Sequence, residues 1–234
     1  MSSIEGLAAG LFWPLATIGL YYLSKALYRR RPSLWLSPLV AVPAVLIAIA
    51  LVLHANYQDY MHDSRWLLAL LGPATVAFAV PIYEQRGLIK RYWPVLLFGV
   101  TVGSTTAMVS AWGLASLLGL DESLRLSLMP RSISTPFAMV VSNDIGGVPN
   151  LTAVFVVITG LLGAVVGQML LRWLPLRSGM ARGALYGMGA HGIGVAKAHE
   201  IGREEGSIAG LVMVLVGLTN VLAAPLIAWL MHSA

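Results

Sequence analysis

Six long stretches without a charged residue or histidine constrain this chain more than any other feature. An α-helix needs about 18 or more apolar residues to cross the roughly 30 Å hydrocarbon core of a bilayer. Only 11% of the residues are charged, less than half of the roughly 25% usual in soluble domains. The sequence predicts an all-α polytopic membrane protein with about six full transmembrane helices. They are Gly6–Ser24, Pro32–Leu53, Trp66–Tyr83, Tyr92–Leu120, Ile145–Leu171 and Gly206–Met231.

The basic residues indicate how the chain is oriented. No basic residue precedes the first stretch, whereas Lys25 and Arg29–Arg31 follow it. This predicts a retained helix with its N-terminus outside, rather than a cleaved signal peptide. The net charge of +5 is attributed to cytoplasmic loops and not to nucleic-acid binding. The absence of cysteine excludes disulfides and thiolate metal sites, and we expect neither a cofactor nor a metal.

Two further segments are apolar but interrupted. Ser123–Asp144 contains Pro130 and Pro136, and Met180–Glu200 contains several glycines, among them Gly189 and Gly194. Proline and glycine interrupt the helical hydrogen-bond ladder, and freed backbone groups at membrane depth must be satisfied by protein or water. We therefore expect broken or re-entrant helices that line a cavity.

The two interrupted segments occupy matching positions in an internal repeat. Placing Arg125 on Arg182 gives an offset of 57 residues that sets Ser134 opposite His191 and Thr135 opposite Gly192. Chance resemblance between apolar spans is the alternative. The predicted single membrane domain has N-terminal scaffold and dimerisation helices (residues 1–65), a first repeat (92–147), a second, inverted repeat (148–206) and a C-terminal helix (207–234). Such repeats are typical of secondary transporters, whose sites lie near the bilayer midplane.

Charge counting favours two re-entrant segments over two fully crossing ones. The re-entrant topology puts 11 of the 15 basic residues inside and two outside, Arg65 and Arg125. The remaining two, Arg131 and Lys197, lie within the interrupted segments. Eight spans, with both segments crossing, are the alternative and distribute the charges less asymmetrically.

The first candidate binding site is the stretch from Pro130 to Pro136. An arginine and freed helix amides suit a carboxylate, and ionisable residues inside a membrane are costly and commonly functional. The alternative is a kinked helix with its arginine reaching the interface. The candidate substrate ligands here are Arg131, Ser132, Ser134 and Thr135, joined from the second segment by His191, Gly192 and Lys197.

A second candidate concerns coupling to an ion or proton. His191 can exchange a proton near neutral pH, and Glu200 follows it; a packing histidine is the alternative. Gly146 and Gly147 predict a turn, around which three polar residues could hold a cation or cap a helix. Those three are Asn143, Asp144 and Asn150. The G-x-G-x-x-G match at 187–192 lacks a preceding strand, so we attribute its glycines to close packing.

Several of these motifs, in this order, resemble the LrgB/CidB family over essentially the whole chain. They are Leu71-Gly72-Pro73-Ala74-Thr75, Pro130–Pro136, Ile145-Gly146-Gly147-Val148-Pro149-Asn150-Leu151-Thr152, Ala190-His191-Gly192-Ile193-Gly194 and Glu200-Ile201-Gly202-Arg203. The chain departs from the family pattern at Val140 and Asn143, where acidic residues are expected, and at Lys197, where arginine is usual.

The resemblance implies an antiholin-like protein of the bacterial inner membrane, with a small LrgA/CidA-like holin partner and a link to murein hydrolase control. It also implies transport, since plastid relatives carry glycolate and glycerate and bacterial relatives are tied to pyruvate. We therefore expect a transporter or exporter of a small monocarboxylate, homodimeric or larger. The alternative is a holin-type pore or regulatory subunit without a substrate site. No motif supports an enzyme; a Ser134–Asp144–His191 hydrolase lacks its nucleophile motif.

The re-entrant topology makes a direct prediction about the loop between Arg172 and Arg182. A single cysteine replacing Arg177 should react with a membrane-impermeant thiol reagent only from the cytoplasmic side, because re-entrance returns this loop inside. The chain has no cysteine of its own, so no background labelling arises. Cysteine at Glu122 is the control and should react only from outside. Outside labelling at Arg177 would contradict re-entrance.

Overall fold

The computed structural model describes residues 3–31 and 33–233, and this part of the chain is helical without any β-strand. Side chains are described from residue 10 to residue 230, apart from 32, 34 and 74. The chain divides into two compact units, residues 1–74 and 75–234. The predicted all-helical class is therefore confirmed for the described residues.

The first unit is built around a packed tryptophan. Trp13 is buried, and its ring meets the ring of Tyr60 edge-on at a centroid distance of 5.6 Å. The Thr17 hydroxyl lies 3.2 Å from the Tyr60 hydroxyl, so α1 and α3 are held together by aromatic and polar contacts. The unit consists of α1 (Ser3–Arg30), a 3-10 turn (Leu34–Leu36), α2 (Pro38–Val52), α3 (Tyr57–Ala69) and the start of α4 (Leu71–Ala77).

A capping box explains why α3 begins between the second and third predicted spans, before Trp66. The Asn56 side chain accepts a hydrogen bond from the Asp59 amide at 3.0 Å, and the Asp59 carboxylate accepts one from the Asn56 amide at 2.9 Å. This reciprocal pair satisfies amides that a helix start leaves free. Helix therefore begins at Tyr57, nine residues before the predicted span.

The second unit is arranged around its last helix. That helix, α12, contacts α5, α6, α8, α10 and α11. Its residues Leu211, Val214 and Val216 are almost completely buried, so burial of apolar surface against α12 is the main source of stability. The elements are α5 (Ala79–Glu84), α6 (Arg86–Leu117), α7 (Glu122–Leu128), a 3-10 turn (Met129–Ser132), α8 (Thr135–Asp144), α9 (Pro149–Trp173), α10 (Gly179–Gly189), α11 (His191–Ile201) and α12 (Arg203–Ser233).

Four described helical segments are long and apolar enough to span a membrane: Tyr57–Glu84, Arg86–Leu117, Pro149–Trp173 and Arg203–Leu230. The last three match the fourth, fifth and sixth predicted spans. The first of the four merges α3, α4 and α5 and extends the third predicted span. The predicted second span gives only the 15-residue helix α2, and part of Gly6–Ser24 has side chains outside the described set. The count of six stays a prediction.

Helix boundaries in the second unit recur at a spacing of 57 residues. The helices α7 and α10 begin at Glu122 and Gly179. Their partners α8 and α11 end at Asp144 and Ile201. Each pair is interrupted between its two helices, once at Ile133 and once at Ala190, again 57 residues apart. These shared boundaries support the repeat, whereas its inversion and the re-entrance stay predictions.

The helix caps follow the same spacing. Asp121 accepts a hydrogen bond from the Leu124 amide at the start of α7. Ser178, 57 residues later, accepts one from the Ala181 amide at the start of α10. Both side chains satisfy a free amide of a first helical turn, so the two segments begin by the same local device.

A buried hydroxyl network fixes the turn between α8 and α9 against α7. Thr152 donates to the Ser127 carbonyl at 2.9 Å or to the Ser142 hydroxyl at 2.7 Å, and the Val148 amide donates to the Ser127 hydroxyl at 2.8 Å. Ser127, Ser142 and Thr152 have no exposed surface. Because buried polar groups without partners are costly, this network positions the interrupted segment on α9.

Replacing Thr152 should therefore loosen the whole first interrupted segment. Thr152→Val keeps the shape but removes the hydroxyl, which leaves buried partners unpaired and should cost roughly 1–2 kcal/mol. The measurement is the thermal unfolding midpoint of detergent-solubilised protein. Thr152→Ser retains the donor and should fall close to wild type. Equal midpoints for the valine and wild-type proteins would contradict a structural role for the network.

Candidate functional site

An arginine without an acidic partner lies at the first interruption. Arg131 ends its side chain near Thr159 of α9, with 3.5 Å between the guanidinium Nη1 and the threonine hydroxyl. Within the described residues, none of the ion pairs involves Arg131. A half-buried cation with only one long hydrogen bond retains donors for an anion.

The second interruption places His191 beside the same arginine. The imidazole faces the main chain of Arg131 and lies close enough to its guanidinium for electrostatic interaction. His191 also packs on α9, because a Cβ added at Gly160 would lie 3.3 Å from its Nδ1. The two interrupted segments therefore meet at neighbouring residues of α9, Thr159 and Gly160.

The backbone and hydrogen bonding of His191 are both unusual. Its φ is +39°, in the left-handed region that side-chain-bearing residues seldom adopt. The side chain is only 3% exposed, and its Nε2 has no hydrogen-bond partner. Strained residues with unsatisfied buried atoms cluster at functional sites, so this geometry favours a binding role over simple packing.

The position along α9 at which the two interrupted segments meet indicates their depth in the membrane. Thr159 and Gly160 lie near the middle of this 25-residue helix. If α9 crosses the bilayer, as its length and composition allow, Arg131 and His191 lie near the midplane. Under that condition Arg131 is an ionisable side chain within the membrane, and a kinked helix whose arginine reaches the interface stays the alternative.

The other residues expected at the first interruption are distributed around the arginine. Ser134 is the N-cap residue of α8, is 7% exposed, and has a hydroxyl without a partner. It corresponds to His191 at the 57-residue spacing, and both carry an unsatisfied buried atom. Ser132 lies on the opposite side, where it lines a small space between α6 and α12. Thr135 is half-buried and Gly192 is exposed.

Two polar residues near that small space had not been predicted. Asn220 of α12 donates to the Ser104 hydroxyl of α6 at 3.0 Å and to the Val216 carbonyl at 2.7 Å. Both residues are buried and lie near the middle of their helices. The sequence signal that could have identified this pair is Asn220, a single asparagine in an apolar span without charged residues.

Of the expected coupling residues, His191 lies beside Arg131, whereas Glu200 pairs with Lys197, which was expected to bind substrate. Lys197 pairs with Glu200 on α11 at 2.8 Å, with the two side chains 30% and 47% exposed. The turn from α8 to α9 contains Asn143, Asp144 and Asn150, all exposed. Their placement matches the alternative of a turn exposed at the surface of the chain, and no described contact joins them to Arg131.

The residues predicted to interrupt the helices have different local roles. Pro130 lies in the 3-10 turn, and Pro136 is in the first turn of α8, where a missing amide costs nothing. Gly146, with φ of +89°, turns the chain between α8 and α9. Gly189 ends α10, whereas Gly194 lies inside α11, so the second interruption precedes it.

Glycines in the second interrupted segment permit contact between backbones. A Cβ at Gly194 would overlap the Tyr186 carbonyl, and one at Gly187 would overlap the Ala209 carbonyl of α12. Gly163 of α9 meets the Gly189 carbonyl in the same way. This geometry supports close packing as the reason for the glycine-rich sequence. Among the described residues, no cluster of His, Asp and Glu could hold a metal.

Comparisons with known proteins find relatives over nearly the full length of the chain. The chain is 41% identical over 209 residues to YwbG of Bacillus subtilis, covering 89% of this chain and 93% of the relative. It is 36% identical to YxaC of the same organism and 31% identical to the holin-like protein CidB of Staphylococcus epidermidis, each over 218 residues, 93% of this chain and 95% of the relative. No solved structure matches the chain.

The family model agrees with these pairwise matches and with the motifs at the two interruptions. The model of the LrgB-like family matches residues 17–230. That range includes both interrupted segments and the three helices α6, α9 and α12 that surround them. The predicted resemblance is thus confirmed, and this chain is a membrane protein of the LrgB-like family.

Proposed function

We propose that this protein is a secondary transporter or exporter of a small monocarboxylate of the pyruvate, glycolate or glycerate class. The supporting observation is Arg131, a half-buried cation without an acidic partner where the two interrupted segments meet. An anion at this position offsets the cost of keeping a guanidinium away from water. The planar fork of arginine matches the two oxygens of a carboxylate.

The remaining groups at the site suit the rest of a small substrate. Within the described part of the chain, the Ser134 hydroxyl and His191 Nε2 are buried without a hydrogen-bond partner, so each can hydrogen-bond a bound molecule without first breaking a protein contact. Thr159 orients the guanidinium from α9. We therefore place the carboxylate at Arg131 and its polar substituent between Ser134 and His191.

Coupling is proposed to involve the second segment. The His191 imidazole lies close enough to Arg131 for electrostatic interaction, and the Lys197–Glu200 pair lies about one and a half to two and a half turns further along α11. A proton held at His191 would be released as the substrate leaves. The exposed turn with Asn143, Asp144 and Asn150 is the second candidate for a coupling ion.

The proposed arrangement in the membrane follows the repeat. The two segments are taken as re-entrant and inverted, in the bacterial inner membrane with the N-terminus outside. Helices within Gly6–Leu53 lie outside the repeat and are free to form a homodimer. An LrgA/CidA-like partner is proposed on the strength of the family alone, since the holin-like protein CidB is among the relatives.

A holin-type pore or regulatory subunit is the second candidate function. The name of CidB, a holin-like protein, favours it. A pore needs only spanning helices and oligomerisation, and it passes solutes without saturation. Proteoliposomes separate the two functions: saturable carboxylate uptake supports the transporter, and unselective leak of large solutes supports the pore.

Substitutions at Arg131 test the carboxylate site directly. Arg131→Lys keeps the charge but loses the fork, so affinity for the monocarboxylate should fall. Arg131→Ala removes the charge as well and should weaken binding roughly tenfold to a hundredfold, the value of a charged hydrogen bond. The measurement is concentration-dependent uptake into proteoliposomes.

A matched control lies at the end of α9. Arg172→Lys changes another arginine in its last turn, at an exposed position, and should leave affinity unchanged. Size-exclusion profiles of all variants check that they fold. Unchanged affinity in both Arg131 variants would contradict the proposed carboxylate site.

His191→Gln tests proton coupling separately. Glutamine keeps a hydrogen-bonding side chain but cannot titrate, so uptake should lose its pH dependence while substrate exchange persists. Uptake is measured across a pH series in the presence and absence of a proton gradient. If the pH profile stays the same, His191 contributes only hydrogen bonding and packing.

A further inference from the structure

Two spaces lie along the same three helices of the second unit: a groove open at the surface of the chain, called the outer cavity, and a smaller, more enclosed chamber. An outer cavity of about 340 Å³ is bounded by α6, α10 and α12 and begins at Ser178, the N-cap of α10. An inner chamber of about 10 Å³ lies between Ser104, Ser132 and Asn220. Met188 lines both spaces, and it is the residue they share.

The order of lining residues shows that the spaces are consecutive. On α6 the outer cavity reaches Val100, and the chamber begins at Gly103 and Ser104. On α12 the outer cavity touches Val212, and the chamber touches Val216. Each step is about one helical turn, or about 5.4 Å. Met188 therefore lies where the two spaces adjoin.

The position of the Met188 side chain depends on Gly103 opposite it, because glycine has no side chain. A Cβ added at Gly103 would overlap the Met188 sulfur, so the thioether rests directly on the bare backbone of α6. Methionine is unbranched and has several rotatable bonds. It can leave this seat by changing rotamer, without movement of α10.

The chamber has the chemistry of a water site. Asn220 uses its Nδ2 to bond Ser104 and Val216, which leaves its Oδ1 as an acceptor. With the hydroxyls of Ser104 and Ser132, three polar groups face a volume near the lower limit for one water. Ser132 is also the neighbour of Arg131, so the chamber adjoins the first interruption.

We propose that Met188 is a gate between the outer cavity and a hydrated polar chamber formed by Ser104, Ser132 and Asn220. When the thioether rests on Gly103, water and small solutes from the Ser178 end stop at Met188. When it rotates away, the outer cavity joins the chamber and reaches the interruption beside Arg131. The gate stands independently of which solute the protein carries.

Single cysteines in this cysteine-free chain test the gate without a transport assay. Cysteine at Ala184 in the outer cavity should react with the charged reagent 2-sulfonatoethyl methanethiosulfonate. Cysteine at Ser132 in the chamber should react slowly while Met188 is present. In a Met188→Ala background its rate should rise about tenfold or more, since reaction no longer waits for a minor rotamer.

Two controls separate gating from general loosening. Met180→Ala shortens a methionine that lines only the outer cavity, so it should leave labelling at Ser132 slow. Met188→Leu keeps the bulk and should also leave it slow. Equal rates at Ser132 with Met188 and with alanine would overturn the gate. Labelling at Ala184 by lipophilic maleimides alone would show a lipid-filled cavity and would likewise overturn it.

Discussion

Close contact between bare backbones holds the second interrupted segment in place. Gly163 of α9 lies against the Gly189 carbonyl, and Gly187 lies against the Ala209 carbonyl of α12. A helix that breaks within an apolar environment leaves polar groups that lipid cannot satisfy. Packing the break between α9 and α12 without intervening side chains keeps lipid away from it. The positions of His191 and, through it, the pairing with Arg131 depend on these contacts.

The sequence predicted the parts of the fold that local chemistry determines. The length of the stretches without charged residues identified α6, α9 and α12 as spans, because lipid cannot solvate charged side chains. Proline and glycine content predicted that Ser123–Asp144 and Met180–Glu200 are interrupted, whereas the exact interruptions, at Ile133 and Ala190, are a finding of the structure. The start of α3 was missed, since the Asn56–Asp59 capping box lies within a polar stretch that also resembles a loop.

The site was predicted less completely, because its members come from different helices. Arg131 and His191 stood out as ionisable residues in apolar segments, but Thr159 is one of many polar residues in long spans. Only the packing of α9 shows that it touches the guanidinium. Asn220 and Ser104 are 116 residues apart, a pairing that no local pattern contains. Conversely, Asn143 and Asp144 looked like ligands by type, yet the chain exposes them at a turn.

The distribution of polar groups bears on the choice between a transporter and a pore. A pore needs a continuous hydrated path, whereas the proposed gate at Met188 would interrupt such a path within the second unit. Beyond Met188 lie a chamber of about 10 Å³ and an arginine without an acidic partner. The half-buried charge of Arg131 is costly unless a bound anion offsets it. A closed path would prevent solutes from leaking through the protein while the anion is absent. If Met188 closes the path as proposed, it supplies the one-sided occlusion that alternating access requires.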